Sequence, residues 1–355
     1  MKTVSNRKIG VAIIGYGGMG AWHGRLLKTV PCVELVGAYD IKSDRMSLAQ
    51  GNGIFTFESL DALLADPRVD AVTVAIPNHL HEEVCICAME AGKNVICEKP
   101  VALSSIQLQN MIDTSKRCGV LFTVHQNRRW DEDFRTVKKL WDNETLGNIF
   151  RIESRVHGSR GIPGDWRNQK EFGGGMVLDW GVHLLDQILL LIDKPWQSVY
   201  AQLSYVTNEN CDDGFTAQLQ FADGPVVEVQ VGTSNFASLP RWYVLGENGT
   251  AVIDGFRTQG RMVMVSDWEK RDAVPVVTAA GLTKTMAPRT DDTIKEYPLP
   301  MVGSDVREFY QNVAAVIWGE EKPLITHQQV MNVMKLMEAI FESARTNTVI
   351  QNMDI

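Results

Sequence analysis

The sequence lacks any apolar run of the 18 or more residues that a membrane-spanning helix needs. The basic residues at its start precede only a short apolar run, which continues into glycines rather than into the cleavage site of a secretory leader. It also lacks an excess of positive charge, since the formal net charge is -8, and this argues against a nucleic-acid partner. We therefore expect a cytoplasmic protein with no nucleic-acid partner and no membrane partner.

Cysteine is scarce, and five of the six cysteines stand in apolar stretches. Free buried thiols are the usual state of such residues in a chain kept in a reducing compartment. The stretch HLHEEVCIC, residues 79–87, is the one place where a metal site is worth considering, because His81 and Cys85 would share a helix face. Two further ligands do not join them, so we expect no metal.

The first third of the chain alternates strand-like and helix-like segments. Its apolar runs are rich in β-branched residues and show no strict alternation, which is typical of strands buried on both faces. Such an order predicts right-handed crossovers and a doubly wound parallel sheet, an α/β Rossmann domain over residues 1–125. The predicted strands are 9–14, 33–39, 70–75, 93–97 and 120–124, and the predicted helices are 19–29, 43–50, 58–64, 79–91 and 104–117.

The pattern changes after about residue 148, where apolar and polar residues alternate and Asp-Gly and Asn-Gly turns separate the segments. We expect an α+β domain with a large open, mostly antiparallel sheet over residues 126–355. Its helices are predicted at 175–193, 304–318 and 326–345, and 277–298 is predicted to be an exposed loop or an interaction arm. We expect the open sheet to have an apolar outer face that a second copy of the chain covers, making a homo-oligomer.

The stretch GYGGMG, residues 15–20, lies between the first predicted strand and the first predicted helix. Gly15 permits a tight turn, Gly17 lets the backbone approach a pyrophosphate, and Gly20 lets the helix pack closely against the strand. Asp40 ends the second predicted strand, where its carboxylate would accept hydrogen bonds from ribose hydroxyls and repel a 2′-phosphate. The pattern predicts a dinucleotide site that favours NAD over NADP, although Lys42 lies close to Asp40.

Other polar residues follow predicted strands at the same edge, where ligands of such sheets collect. Pro77 and Asn78 follow one strand, and Asn78 could instead be an ordinary helix cap. Glu98 and Lys99 follow the next strand, and they could instead form a surface ion pair. Lysine accepts a proton only if its pKa falls, for example beside an oxidised nicotinamide.

The stretch FGGGMVLDWGVHLLDQILLL, residues 172–191, predicts a largely buried helix with polar residues at Asp179, His183 and Asp186. These residues are four and three apart, so they would share one face, where a carboxylate could orient the imidazole. Buried ionisable groups are costly unless they are paired or functional. A capping acid with a satisfied core histidine is the structural alternative, and a metal site would lack further ligands.

Taken together, these motifs resemble the Gfo/Idh/MocA oxidoreductases over nearly the full length of the chain. The motifs that carry the resemblance are GYGGMG with Asp40, PNHLH at 77–81, EKP at 98–100, GDWR at 164–167 and GGGMVLDWGVHLLD at 173–186. The stretch VHQNRRWDEDF, 124–134, resembles the branch with scyllo-inositol and related sugar dehydrogenases. GSRGIPGDWRNQKEFGGG, 158–175, is similar to enzymes that oxidise the 3-hydroxyl of glucosides, including C-glucosides.

The resemblance implies a Rossmann domain joined to an open antiparallel sheet, a catalytic Lys99, and a substrate site lined by Asp179 and His183. We expect His183 to act as the base, aligned by Asp179, while Lys99 polarises the developing alkoxide; the roles of Lys99 and His183 could be exchanged. The residues expected to bind the cofactor are Gly15, Tyr16, Gly17, Gly18, Met19, Gly20, Asp40, Pro77, Asn78, His81, Glu98, Lys99, Gln126, Trp166 and Arg167. Those expected to bind substrate are Lys99, Asn127, Arg128, Arg160, Trp166, Asp179 and His183.

The expected activity is reversible, NAD-dependent oxidation of a secondary hydroxyl of a sugar, a glycoside or a cyclic polyol. Three alternatives stay open: a reductase of a ketone, an imine or a similar acceptor, a redox-neutral enzyme that keeps its NAD and forms a transient keto-sugar, and a dinucleotide-sensing regulator. The polyol could be an inositol, and the glycoside position could be C3. The intact set of Lys99, Asp179 and His183 argues against the regulator.

Overall fold

A computed structural model describes residues 7–270 and 274–353. Within these residues the chain forms a five-stranded sheet, a nine-stranded sheet and a separate two-stranded hairpin. The first sheet comes entirely from the first third of the chain, as the change in sequence pattern predicts.

The five-stranded sheet has the order β2-β1-β3-β4-β5, and all of its strand pairs are parallel. Every residue of β1 and β3 is buried, which explains why these strands show no polar alternation. The Rossmann prediction is confirmed. Its elements are β1 (Ile9–Ile14), α1 (Gly18–Leu27), β2 (Val33–Tyr39), α2 (Ser43–Gly51), α3 (Leu60–Ala65), β3 (Ala71–Val74), α4 (His81–Glu90), β4 (Asn94–Cys97), α5 (Ser105–Cys118) and β5 (Phe122–Val124).

The nine-stranded sheet is antiparallel except for one parallel pair, β6 with β9. The predicted open, mostly antiparallel sheet is therefore confirmed. Its order is β15-β12-β11-β10-β6-β9-β8-β7-β16. The strands are β6 (Ile149–His157), β7 (Trp196–Ser204), β8 (Gly214–Phe221), β9 (Val226–Gly232), β10 (Trp242–Gly246), β11 (Gly249–Ile253), β12 (Gly260–Val265), β15 (Ile294–Pro298) and β16 (Ile350–Gln351).

The two faces of this sheet differ in chemistry. One cross-strand row contains buried Ala217, Val229, Ser154 and Trp242, which pack into the core. The neighbouring row on the opposite face contains Tyr200, Gln218, Glu228, Glu153 and Tyr243. The expected apolar outer face is therefore wrong, because the outward positions of the central strands carry amide, carboxylate and phenol groups.

The helix predicted at 175–193 is shorter and less regular than expected. A π-helical turn covers Val177–Gly181, and the α-helix α7 begins only at Val182 and ends at Leu191. The longer helical segment 170–191 is apolar and long enough to cross a membrane by composition alone, but most of its central residues are buried inside the protein. Packing against the large sheet and against the helix at His327–Thr346 accounts for its apolar character.

Residues 277–298 are not simply a loop. The strands β13 (Val276–Thr278) and β14 (Gly281–Thr283) form a hairpin, and β15 pairs with β12 at the edge of the large sheet. Most side chains of β15 are exposed, so this edge strand lacks the apolar alternation that would have revealed it. The helix α6 (Glu132–Asp142) also lies outside the predicted helices.

The helices α8 (Arg307–Ile317) and α9 (His327–Thr346) occupy the positions predicted for the last two helices. They contact both parts of the molecule, because α8 packs against α1 and β2, while α9 packs against α5, α7 and β7. The boundary near residue 125 stays a prediction. The last third of the chain nevertheless contributes directly to the surroundings of the parallel sheet.

Candidate active site

The glycine turn has the geometry that a phosphate cradle requires. Gly15 adopts φ +90°, and a Cβ there would lie 2.4 Å from the carbonyl oxygen of Ala75. A Cβ at Gly20 would lie 2.0 Å from the carbonyl oxygen of Gly15, so only glycine permits this close approach of helix and turn. Gly17 and Gly18 face open space at the start of α1, where unpaired N–H groups favour an anion.

Asp40 lies directly after β2, and both of its carboxylate oxygens are held by the backbone. Oδ2 accepts a hydrogen bond of 2.7 Å from the N–H of Tyr16, and Oδ1 accepts one of 2.9 Å from the N–H of Lys42. The Tyr16 side chain is buried, and its hydroxyl accepts a hydrogen bond from Asn52. Tyr16 therefore contributes to the predicted ribose site through its backbone N–H, which holds Asp40, and not through its side chain.

Three consecutive residues that follow β5 carry buried polar atoms that lack a hydrogen-bond partner within the described chain. His125 Nε2, Gln126 Oε1 and Asn127 Oδ1 are buried atoms without a hydrogen-bond partner among the described residues. Buried polar atoms normally form hydrogen bonds. Three consecutive exceptions at the carboxyl edge of the sheet therefore indicate groups that hydrogen-bond to a ligand. Together with the glycine turn, this edge fits a bound dinucleotide.

Lys99 and Asp179, which are far apart in sequence, meet at this edge. Lys99 Nζ donates hydrogen bonds of 2.9 Å to the Asp179 carboxylate and to its backbone carbonyl oxygen. Arg167 approaches the other carboxylate oxygen at 3.4 Å. Lys99 and Arg167 together hold the pKa of Asp179 below its usual value although burial opposes them. The structure thus brings Lys99 and Asp179, both expected at the substrate site, into a direct contact that the sequence analysis did not predict.

His183 is buried close to the same pair. Its Nδ1 has no hydrogen-bond partner among the described residues. Burial lowers its pKa well below the usual histidine value, and the charges of Lys99 and Arg128 lower it further. His183 is therefore neutral at neutral pH and able to accept a proton.

The expectation that Asp179 aligns His183 is not met in the structure, since Asp179 binds Lys99 and Arg167 instead. The π-helical turn explains the difference, because its i→i+5 bonding changes the alignment of residues four apart. Asp186, the third residue of the expected stripe, forms a buried ion pair with Arg129 at 2.6 Å. It lies in the same helix but does not join the Lys99 pair.

Several predicted cofactor residues are engaged within the protein. Asn78 donates a hydrogen bond of 3.0 Å to the carbonyl oxygen of Gly173, which joins the loop after β3 to the glycine segment before the π-helical turn. The two ring nitrogens of His81 lie 2.9 and 3.0 Å from the carbonyl oxygens of Pro100 and Ile76. These two side chains hold the loops of the crevice, with Pro77 half-buried beside them.

The remaining predicted residues divide into those at the cleft and those away from it. Arg128 stacks over the ring of Trp180, with 4.2 Å between its guanidinium carbon and the ring centroid, and over Phe256 at 5.0 Å. Arg167 stacks over half-buried Trp166 at 4.6 Å. Met19 is half-buried in the first turn of α1, whereas Arg160 is exposed on the loop after β6. The structure shows no contact that joins Arg160 to Lys99.

Two features of the site escaped the sequence analysis. Asp212 accepts a hydrogen bond of 2.8 Å from the N–H of Val177 at the start of the π-helical turn, and burial raises its pKa to about 7. Its loop reads NENCDDG, which offers no local signal for such a contact. The second feature is the pair of histidines around Glu98, whose carboxylate lies buried between His23 and His125. Glu98 itself was expected at the cofactor site, and of its two partners only His125 had a signal, since it directly precedes Gln126.

Known protein families and solved structures are similar to this chain in both of its sheet-forming regions. Residues 9–126 match the model of an oxidoreductase family with an NAD-binding Rossmann fold, and residues 134–252 match the GFO/IDH/MocA C-terminal domain. A solved NAD-binding protein from Listeria innocua is 44% identical, with a TM-score of 0.94 over 98% of this chain and 100% of that one. A scyllo-inositol 2-dehydrogenase (NADP(+)) from Bacillus subtilis is 26% identical over 95% of this chain and 94% of its own. The glucose-6-phosphate 3-dehydrogenase of the same species is 33% identical over 56% of this chain and 58% of its own.

Proposed function

The chain belongs to the Gfo/Idh/MocA family of oxidoreductases, and from that premise we propose that it reversibly oxidises a secondary hydroxyl of a sugar, a glycoside or a cyclic polyol to a ketone. The observation that carries the proposal is the contact of Lys99 with Asp179 close to His183, whose Nδ1 has no hydrogen-bond partner in the part of the chain that the structure describes. Lys99 follows β4 at the carboxyl edge of the parallel sheet, and the helical segment with Asp179 and His183 approaches it there. NAD, when bound, supplies the acceptor for the hydride.

The protein residues have separate tasks in this reaction. His183, neutral because it is buried beside two positive charges, accepts the proton of the substrate hydroxyl. Lys99 has one N–H donor left for the same oxygen and stabilises the charge that develops on it. Asp179 holds Lys99 in place through two hydrogen bonds. The exchanged assignment, with Lys99 as base, predicts a different acid limb in the pH profile.

The proposed cofactor is NAD rather than NADP. The Asp40 carboxylate is fixed at the end of β2, where it would accept hydrogen bonds from ribose hydroxyls and repel a 2′-phosphate. We expect kcat/KM to be at least about 10-fold higher with NAD than with NADP. Asp40→Ser should reduce that ratio, and equal use of both cofactors by the wild type would contradict the assignment.

The test of the function is a substrate panel followed by NADH absorbance. It should contain inositols, glucose, O- and C-glucosides and their 3-keto forms, because the finer substrate class and a C3 position belong to the proposal. Lys99→Met and His183→Gln should each lose most of the turnover while retaining NAD binding. Near-native turnover in either folded variant would remove that residue from the mechanism.

Oxidation of an inositol is the second candidate. It is supported by the scyllo-inositol 2-dehydrogenase relative, whose similarity extends over nearly the whole chain. We expect turnover of an inositol to exceed that of glucosides in this case, and the same panel separates the two.

We also propose that the protein acts in the cytoplasm as a homo-oligomer that assembles through its large sheet. The supporting feature is the broad outer face, lined by tyrosine, glutamine and paired charged residues. Analytical ultracentrifugation of the wild type and of Gln218→Glu should show a larger assembly that the added charge weakens. A monomeric wild type would contradict this prediction.

A further inference from the structure

A buried carboxylate lies directly beneath the predicted catalytic lysine. Glu98 Oε1 lies 2.7 Å from His23 Nε2 and 2.8 Å from His125 Nδ1, and its Oε2 accepts a hydrogen bond of 3.2 Å from the backbone N–H of Lys99. His23 and His125 are fully buried, and Glu98 is 4% exposed. We refer to His23, Glu98 and His125 as the Glu98 clamp.

The clamp continues into the last third of the chain. The hydroxyl of Tyr310, on α8, lies 2.8 Å from His23 Nδ1 and 3.0 Å from Thr73 Oγ1 on β3. A carboxylate only accepts hydrogen bonds, so His23 must donate to it through Nε2. In the neutral imidazole, Nδ1 then accepts from Tyr310, whose oxygen accepts from Thr73. Each proton in this series of hydrogen bonds, from Thr73 through Tyr310 and His23 to Glu98, therefore has one consistent position.

The carboxylate remains charged in spite of its burial. Burial alone would raise the pKa of Glu98, but the two imidazoles hold that pKa well below its usual value. A buried anion that is satisfied by three N–H donors has a defined position, because loss of any donor leaves charge uncompensated. One of these three donors is the peptide N–H from which the Lys99 side chain extends.

We propose that the Glu98 clamp is the positioning device of Lys99, with Glu98 as a positioning residue and Tyr310 as its support from α8. The inference rests on the proposed function, in which Lys99 acts on the substrate oxygen. Lys99 is held at both ends: its backbone by Glu98, and its Nζ by Asp179. Small displacements of a catalytic group cost large factors in rate, so this double attachment preserves the reactive geometry.

The clamp also contributes its charge to the site. The charged and titratable groups that act on His183 are Lys99 and Glu98 after β4 and Arg128 and His125 after β5. Among them Glu98 is the negative one, and it raises the pKa of His183 while Lys99 and Arg128 lower it. Removing the Glu98 charge should therefore shift the acid limb of the pH profile to lower pH. A merely structural role would leave that limb unchanged.

The experiment compares Glu98→Gln and Tyr310→Phe with the wild type, using kcat, KM and the pH profile of kcat/KM. We expect kcat to fall about 100-fold in Glu98→Gln and about 10-fold in Tyr310→Phe, with the sugar KM changed less than about threefold. Only Glu98→Gln should move the acid limb to lower pH. Tyr297→Phe, on the exposed edge strand β15, and Glu82→Gln, on α4, are the matched controls and should behave as wild type.

Two outcomes overturn the proposal: a folded Glu98→Gln enzyme with kcat within twofold of the wild type and an unchanged acid limb, or a folded Tyr310→Phe enzyme with kcat within twofold of the wild type. Tyr310→Phe removes a single oxygen atom, so it decides the matter alone if Glu98→Gln does not fold. Lys99→Met separates the two hypotheses. If it abolishes turnover while both clamp variants are unaffected, only the clamp fails; if it retains turnover, the proposed role of Lys99 fails.

Two readouts do not depend on turnover. Hydrogen exchange at the Lys99 amide should be faster in Glu98→Gln and Tyr310→Phe than in the wild type, and unchanged protection would contradict the clamp. One ligand atom each from His23, Glu98 and His125 lies within 4.8 Å of the other two, a set that could also hold a metal. A stoichiometric divalent metal that copurifies with the wild type and is lost in His125→Gln would overturn the hydrogen-bonded assignment.

Discussion

Two arginine–carboxylate pairs in this protein have the same shortest distance and opposite surroundings. Arg129 and Asp186 meet at 2.6 Å beneath the cleft, with side chains that are 6% and 3% exposed. Arg151 and Glu153 also meet at 2.6 Å, on the outer face of the large sheet, with exposures of 37% and 13%. Water screens the second pair far more than the first, so we expect equal distances to have unequal consequences.

The comparison extends to chemistry. At the carboxyl edge of the parallel sheet, the charges of Lys99 and Arg167 hold the pKa of Asp179 below its usual value although burial opposes them, and burial holds the pKa of His183 well below its usual value. On the outer face, similar groups form a polar network. Among the described residues, no side chain beside this network has a strongly shifted pKa. The difference indicates that burial, rather than the number of ion pairs, makes one region reactive.

The largest expected effect belongs to the reactive region. Lys99→Met should reduce kcat by about 10³-fold or more, because it removes the positive charge near the developing alkoxide. Steady-state NADH production measures kcat, and NADH fluorescence checks that cofactor binding persists. Lys93→Met, six residues earlier and away from the cleft, is the control. A similar loss in both variants would show a general defect rather than a catalytic one.

The buried arginine pair should have the next largest effect. Asp186→Asn leaves the Arg129 guanidinium buried without its counter-charge, and we expect the free energy of unfolding to fall by about 3–5 kcal/mol. Urea denaturation measures this loss. The double change Arg129→Met with Asp186→Leu should recover much of it, and a double variant as unstable as the single one would contradict the explanation by unpaired charge.

Buried histidines should make the cleft region sensitive to acid. Burial lowers the pKa values of His23, His81 and His183, so the unfolded chain binds protons that the folded one does not. Stability is complete above about pH 6.5 and should fall below it by about 1.4 kcal/mol per pH unit for each histidine that stays neutral. Denaturation between pH 7.5 and 5 measures the slope. His183→Gln should make it shallower, whereas an unchanged slope would exclude His183 as a contributor.

Asp212 should respond to pH in the opposite direction. Its folded pKa of about 7 lies above the usual carboxyl value, so its contribution is complete at low pH and is lost as the pH rises through 7. Asp212→Asn keeps an acceptor for the N–H of Val177 and removes the buried charge. We expect it to be about 1–2 kcal/mol more stable than the wild type at pH 8 and no more stable at pH 4. An equal difference at both pH values would exclude ionisation as the cause.

The smallest effect is expected on the outer face. Arg151→Gln should change the free energy of unfolding by less than about 1 kcal/mol, and added salt should reduce the difference further. Urea denaturation at low and high salt tests this. A loss as large as that of Asp186→Asn would remove burial as the explanation of the comparison.

Much of the fold follows from local pattern. The two strands that flank the first crossover occupy the residues predicted for them, β1 at Ile9–Ile14 and β2 at Val33–Tyr39. Regions with weak local signals were harder to predict. The edge strand β15 exposes most of its side chains, and the π-helical turn is a local change of helical register that an apolar sequence does not reveal.

The candidate site also has features that the sequence predicts and features that it does not. Its edge position was predictable, because residues that follow parallel strands meet at one edge whatever the rest of the chain does. Their partners were not: Asp179 binds Lys99 rather than His183, and Glu98 lies between His23 and His125. Such choices depend on which side chains the packing of separate elements brings within hydrogen-bonding reach.

The amino-acid sequence by itself determined the order of strands and helices in the first third of the chain, the glycine turn and the position of Asp40, because each depends on neighbours within a few residues. Tertiary structure decided the pairing of Lys99 with Asp179 and the contact of His23 with Tyr310, which is 287 residues away. Contacts of that kind depend on how separate elements pack, and packing is a property of the whole chain that no local pattern of residues contains.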